Sequence, residues 1–175
     1  TAPRPIPTDL VDDSDAHDQH DDHDERSDGA ATPDPITPTF EELGVAADLV
    51  TVLASAGITA PFPIQSMSVP DALAGRDICG KARTGSGKTL AFGLPMIERT
   101  QTARRRRPHS LVLVPTRELA NQVAEELTPL AAARGLWLSS IYGGVSMSRQ
   151  IQALHAGVDI VIATPGRLND LLERG

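Results

Sequence analysis

Aromatic residues are scarce in this chain: three phenylalanines, one tryptophan and one tyrosine among 175 residues. That excludes a sheet face of stacked aromatics of the kind that holds single-stranded nucleic acid. Trp137 is expected in the core instead. The single cysteine, Cys79, excludes an internal disulfide and fits a reducing compartment. No apolar run approaches the roughly 18 residues of a membrane span, and no basic-then-apolar signal opens the chain. A cytoplasmic protein with no membrane partner is the expectation. The chain opens on threonine, so its N-terminus is expected to be incomplete. No CxxC or HExxH supports a dedicated metal site.

Basic charge is also short, with a formal net charge of -7, but the deficit is local. Residues 1–38 hold eleven acids against two arginines, and the remainder holds twelve acids against fourteen bases. The acidity therefore belongs to one segment and says nothing against an anionic partner for the rest. That segment carries TPDPITP and DDSDAHDQHDDHDERSD with no hydrophobic period. It cannot bury enough apolar surface to offset its ordering entropy, so residues 1–38 are expected to be a disordered acidic tail. His17, His20 and His23 recur among its aspartates. Imidazole and carboxylate both ligate divalent metals, but the reading preferred is a solvated tail with incidental histidines.

From Phe40 onward the pattern is that of one folded domain, 39–175. Leu43, Ala46, Ala47, Val50, Leu53 and Ala54 repeat at helical spacing up to Gly57. A second helix is predicted from near Pro63 to Gly75. Strands and helices then alternate. Strands are predicted at 77–81, 111–114, 136–142 and 159–163. Helices are predicted at 88–100, 118–134, 148–156 and 167–174, the first kinked at Pro95. LVLV and IVIA are short, β-branched and uniformly apolar, as strands buried on both faces should be. The fold class is α/β, a parallel sheet flanked by helices.

ARTGSGKT, residues 82–89, lies between a predicted strand and a predicted helix. Gly85 and Gly87 lack Cβ atoms, so the backbone can turn tightly and aim N–H groups inward. The helix starting near Lys88 adds its positive end. Thr84, Gly85, Ser86, Gly87, Lys88 and Thr89 are therefore candidates to cradle phosphates. Lys88 reaches the β- and γ-phosphates, and the Thr89 hydroxyl ligates Mg²⁺ in such a loop. Lys88 and Thr89 are the candidate catalytic residues. Ala82 stands where the strict motif has glycine. Kinases, GTPases, transporters and helicases all share this cradle. Upstream, Gln65 closes GITAPFPIQ; a glutamine amide can pair with adenine N6 and N7, which guanine cannot match.

GITAPFPIQ at 57–65, with Phe40 seventeen residues before Gly57, resembles the adenine-sensing motif of DEAD-box ATP-dependent RNA helicases. ARTGSGKT is similar to their phosphate loop, PTRELA at 115–120 to the next motif, Gly143-Gly144 to their glycine doublet, and TPGR at 164–167 to the one after. The five come in the family's order and cover Phe40 to Gly175. The resemblance implies a RecA-like phosphate-loop domain with ATP and Mg²⁺ as cofactors and RNA as partner. It implies that Phe40 and Gln65 recognise adenine, with Ile58 nearby at a position that is aromatic in many relatives. It implies that Arg117, Gly144, Thr164, Gly166 and Arg167 line the RNA path. PTRELA and TPGR each follow a predicted strand and open a helix, where arginines, threonine hydroxyls and helix N–H groups can hold phosphate without reading base sequence. Arg104 to Arg107 are read as a solvated loop.

Hydrolysis also needs an acidic residue that orients magnesium, and no strand here ends in Asp-Glu. The resemblance places the DEAD segment shortly after residue 175. The chain is thus expected to be the first part of a RecA-like domain, incomplete at its C-terminus. Alone, it is expected to bind nucleotide weakly and to show no sustained ATPase activity. A different phosphate-loop enzyme, such as a small kinase, and a non-enzymatic interaction module are the alternatives.

Overall fold

The computed structural model describes residues 38–101 and 107–174. Apart from Pro38, the expected acidic tail lies outside the described residues, as do Arg104, Arg105 and Arg106; Arg107 is exposed. The described elements are α1 (Ala47–Ser55), α2 (Pro63–Leu73), α3 (Lys88–Arg99), β1 (Ser110–Leu113), α4 (Arg117–Ala133), β2 (Leu138–Ile141), α5 (Met147–Gly157), β3 (Ile160–Ala163) and α6 (Pro165–Leu172). The strands form one parallel sheet in the order β1-β3-β2.

β3 is the centre of the sheet, and its side chains alternate between two cores. Ile160 and Ile162 join the larger core, with Leu94 and Ile97 of α3, Leu127 and Leu130 of α4, and Leu49 and Leu53 of α1. Val161 and Ala163 join a smaller core on the other face, against Leu154 of α5 and Leu168 and Leu171 of α6. All four β3 residues are buried, so IVIA matches its expectation. A fully buried side chain of this size is worth roughly 1.5–3 kcal/mol. β1 departs from its expectation. Val112 faces the larger core, but Leu111 and Leu113 are 51% and 56% exposed. Their register partners are Val161 and Ala163; α5 and α6 cover that face over β3 but do not reach β1.

Two further differences have local causes. The helical period beginning at Leu43 splits in two. Thr39 and Glu42 cap each other, with Thr39 N–H on Glu42 Oε2 at 2.7 Å and Glu42 N–H on Thr39 Oγ1 at 3.2 Å. That isolates one turn, which ends at Gly44 with φ of 91° before α1 starts at Ala47. The strand expected over Asp77–Lys81 is absent: these residues belong to no helix or strand, are exposed and lie outside the sheet. Strand character requires a ladder partner, and among the described residues no strand lies beside them. The sheet therefore has three strands where four were expected.

Side-chain bonds tie the N-terminal helices to the rest. The Ala46 N–H donates to Glu98 Oε1 of α3 at 2.7 Å. Arg134, after α4, lies 2.8 Å from Asp48 Oδ2 and 3.9 Å from Glu98 Oε2. Close packing joins α3 to α4 at Gly93, where a Cβ would stand 2.3 Å from Leu127 Cδ2. Trp137 is half-buried rather than a core residue. Its N–H donates to the buried Asp159 carboxylate at 2.6 Å, and its carbonyl accepts from Asp159 and Ile160. No described helix is long and apolar enough to cross a membrane.

Candidate functional site

The phosphate-loop segment turns through Gly85 and Gly87, both at φ of 77°. This left-handed conformation is one that glycine adopts freely and other residues rarely do. Gly87 is the N-cap of α3, so Lys88 and Thr89 occupy the first turn of that helix, at its positive end. The Lys88 ammonium donates back to the Ala82 carbonyl at 2.8 Å and to the Arg83 carbonyl. Ser86 Oγ donates to the Arg83 carbonyl at 2.7 Å. The loop is thus folded onto its own lysine, whose charge is satisfied by two backbone dipoles.

Gln65 sits at the third position of α2, behind Pro63, and is fully buried. Its Oε1 accepts the Phe62 N–H at 2.8 Å, capping the helix start. Its Nε2 donates to the Gly87 carbonyl at 2.9 Å. Both ends of the amide are therefore used, one within α2 and one on the phosphate loop. The missing Cβ at Gly87 is what allows this approach, since it would lie 2.3 Å from Gln65 Nε2. Sequence reasoning placed Gln65 near nucleotide; it did not find the amide bonded to the loop itself.

The remaining base-side candidates are placed differently. Phe40 is 2% exposed and packed in the core with Leu43 and Val45, so its ring offers no open face here. Ile58 is half-buried against the same core and lines a small pocket of about 160 Å³ with Val52, Leu90 and Leu130. A larger groove of about 460 Å³ runs between α2 and α3, past Ile64, Ile78, Phe92 and Met96. Its lining includes Lys88 but neither Gln65 nor Gly87. Volume alone would put the site in that groove; the loop chemistry puts it beside Gln65.

At the carboxyl end of the sheet the structure brings the other candidates together. Arg117 opens α4 after β1, Gly143-Gly144 follows β2, and Thr164 to Arg167 follow β3 and open α6. Thr116 caps α4 through the Leu119 N–H at 3.2 Å, and Ser146 caps α5 through the Arg149 N–H. Three helix N-termini thus share one edge, a surface rich in backbone donors. The exposed Arg117 guanidinium lies over the Tyr142 ring, 5.7 Å from its centroid. It also borders Gly144, where an added Cβ would stand 3.6 Å from Arg117 Nη1. Thr164, the N-cap of α6, is half-buried, and Gly166 is exposed in the first turn of that helix.

Arg167 points inward. Its side chain is 11% exposed, with Nη1 donating to Gln150 Oε1 at 2.9 Å and to the Val145 carbonyl at 3.1 Å. Gln150 in turn donates to the Tyr142 carbonyl at 3.0 Å. Arg167 therefore braces the glycine-doublet loop against α5. In this structure the Arg167 guanidinium is a strut between the Val145 carbonyl and Gln150 of α5. Gln150 was not a sequence candidate, and nothing in its local pattern marks it.

A phosphate-loop sequence on a three-layer α/β domain, with an amide bonded to the loop and cations at the strand ends, defines a domain of the RecA-like kind. The family model for DEAD/DEAH box helicases matches residues 62–175, and the chain belongs to that family. It is 47% identical over 135 residues to the DEAD-box ATP-dependent RNA helicase CshA of Streptococcus pneumoniae, covering 77% of this chain and 26% of that protein. It is 51% identical over 136 residues to DEAD-box ATP-dependent RNA helicase 7 of Spinacia oleracea, covering 73% and 20%. Among solved structures it is similar to a DEAD box protein from Methanococcus jannaschii, with a TM-score of 0.73, 37% identity and coverage of 80% and 38%. It is also similar to the RNA-helicase Prp28 from Chaetomium thermophilum bound to ADP, with a TM-score of 0.72, 40% identity and coverage of 83% and 36%. The chain thus spans about a quarter or less of these two curated relatives. Membership of this family removes the small-kinase alternative.

Proposed function

We propose that the protein containing this chain is an ATP-dependent RNA helicase, and that residues 40–167 supply its nucleotide cradle and one wall of its RNA path. The observation that carries the reading is the bond from Gln65 to Gly87. It couples an adenine-selecting amide to the loop that takes the phosphates. The relatives named as ATP-dependent RNA helicases and the ADP-bound structural neighbour support it.

The loop fits a nucleoside triphosphate with magnesium. Gly85 and Gly87 keep the inner face of the turn free of side chains, and Lys88 needs only to exchange the carbonyls of Ala82 and Arg83 for phosphate oxygens. Thr89, on the first turn of α3, has the hydroxyl that would hold Mg²⁺, which in turn neutralises phosphate charge. Gln65 would release Gly87 and turn its amide to adenine N6 and N7, a pattern guanine does not present. Phe40 would reach the base only by leaving the core, so its role in recognition is the part of the reading that asks for the largest rearrangement.

On the RNA side, Arg117 supplies an exposed cation, while Gly144, Thr164 and Gly166 supply close backbone approach and neutral donors. Arg167 holds that surface in shape. Contacts of this type grip phosphate and ribose and carry no base sequence, which suits a protein acting on many RNAs. Equilibrium titration of the chain with ATP and GTP in the presence of Mg²⁺ tests the reading. ATP is expected to bind more tightly, and Lys88→Ala to abolish binding of both. Equal affinity for the two nucleotides, or retention of ATP by Lys88→Ala, would refute it.

A further inference from the structure

Phe62 is a large aromatic side chain that neither core accounts for, and it stands in an unusual place. It is 52% exposed. It lies between Pro61 and Pro63, and its backbone is extended at φ of -70° and ψ of 157°. Flanking prolines restrict that backbone before any ligand arrives. Its N–H is held by the Gln65 amide at 2.8 Å, so the residue is fixed at both the main chain and the helix start. Its ring edge approaches the phosphate loop: an added Gly87 Cβ would stand 2.8 Å from Phe62 Cδ2 and 2.3 Å from Gln65 Nε2. The aromatic ring and the amide thus converge on one residue of the loop, Gly87, from the same helix start.

We infer that Phe62 is a further nucleotide-binding residue, whose partly exposed ring stacks on the base that Gln65 selects. The inference rests on the nucleotide reading above. Three observations favour a stacking role. Phe62 is 52% exposed, and its ring edge lies beside a phosphate loop. The position where many relatives carry an aromatic holds Ile58, which is turned into the core. Phe40, the other base-side candidate, is buried. Of the aromatics in and just before GITAPFPIQ, Phe62 is thus the one with an exposed side chain, and its rigid backbone keeps the ordering cost of stacking low.

The test compares ligands with and without a base. The chain and its variants are titrated with MgATP and with magnesium tripolyphosphate. Removing one base–aromatic stack, as in Phe62→Ala, is expected to weaken ATP binding about tenfold and to leave tripolyphosphate binding unchanged. Phe62→Tyr is expected to restore ATP affinity, and Phe62→Leu, which keeps apolar bulk without a π-face, is expected to remain weak. If Phe62→Leu binds ATP like the parent chain, the ring only packs on the loop and the inference is wrong. If Phe62→Ala weakens ATP and tripolyphosphate alike, the side chain shapes the loop rather than meeting the base, and the inference is again wrong. If the parent chain binds neither ligand, the nucleotide reading itself fails and takes this inference with it. Normal ATP binding by Phe62→Ala would overturn the role of Phe62 alone.

Discussion

Lys88 and Arg167 both place a cation in the first turn of a helix, yet they are held by opposite means. Lys88 is satisfied by carbonyls five and six residues behind it, in its own loop. Arg167 is held through Nη1 by Gln150 and by the carbonyl of Val145, seventeen and more residues away in sequence, while its Nε lies 3.7 Å from Asp170 Oδ2. The first arrangement can be undone by moving one turn of backbone, and a phosphate offers the same cation stronger acceptors. The second is built on the sheet, through β3 on one side and α5 on the other, and moves only if the packing moves. The lysine of the phosphate loop is thus held by local bonds, while the arginine at the start of α6 is held by tertiary ones.

The widest expected contrast tests whether the sheet is the rigid half. Ile162, central in β3 and fully buried, should cost about 2–5 kcal/mol on truncation to Ala. Leu113, one strand away in register with Ala163 but 56% exposed, should change stability by no more than about 0.5 kcal/mol when truncated. Urea denaturation of the two variants would measure both. Similar losses would mean that the open flank of β1 is covered in solution, and the two-sided description of the sheet would have to change.

A smaller contrast separates the two halves of the site. Arg167→Ala removes a charged donor from two acceptors and leaves the buried Gln150 short of a partner, for an expected loss of about 1.5–3 kcal/mol. Gln65→Ala leaves the Phe62 N–H uncapped and the Gly87 carbonyl free, for an expected loss of about 1–3 kcal/mol. The two should part in binding. Gln65→Ala is expected to erase the preference for ATP over GTP, and Arg167→Ala to leave it intact. Loss of nucleotide discrimination in Arg167→Ala would show that the two halves communicate within this domain.

Much of this was legible from sequence because the signals were local. Glycine positions, a lysine at a helix start and the apolar run IVIA each report on neighbouring residues, and α2 to α6 and the three strands fall close to where they were expected. What failed was non-local. Ile78 and Cys79 look like a buried strand, but a strand needs a partner that its own residues cannot supply. LVLV is as apolar as IVIA, and only the reach of α5 and α6 decides which is covered. The link from Glu98 to the Ala46 N–H spans 52 residues and has no pattern at either end. The inward turn of Arg167 depends on Gln150, which reads as an ordinary helix residue. For the candidate site, residue types and spacing identified which residues gather, while their hydrogen-bond duties had to be seen in three dimensions.

A small change in stability is expected at Arg117, and it gives the cleanest separation of holding from gripping. Its guanidinium rests over Tyr142 at an exposed site, an interaction worth about 0.5–1 kcal/mol. Arg117→Ala should therefore shift the urea midpoint slightly. Its effect on RNA should be larger: one fewer phosphate contact lowers affinity across sequences and makes the salt dependence of binding shallower by roughly one contact. Arg117→Lys, which keeps the charge but loses the planar stack on the ring, should recover most of the salt slope. RNA titration at several salt concentrations distinguishes the cases. A slope unchanged by Arg117→Ala would mean that this cation meets no phosphate, and the wall of the RNA path would then have to be built from the backbone donors at Gly144 and Thr164 alone.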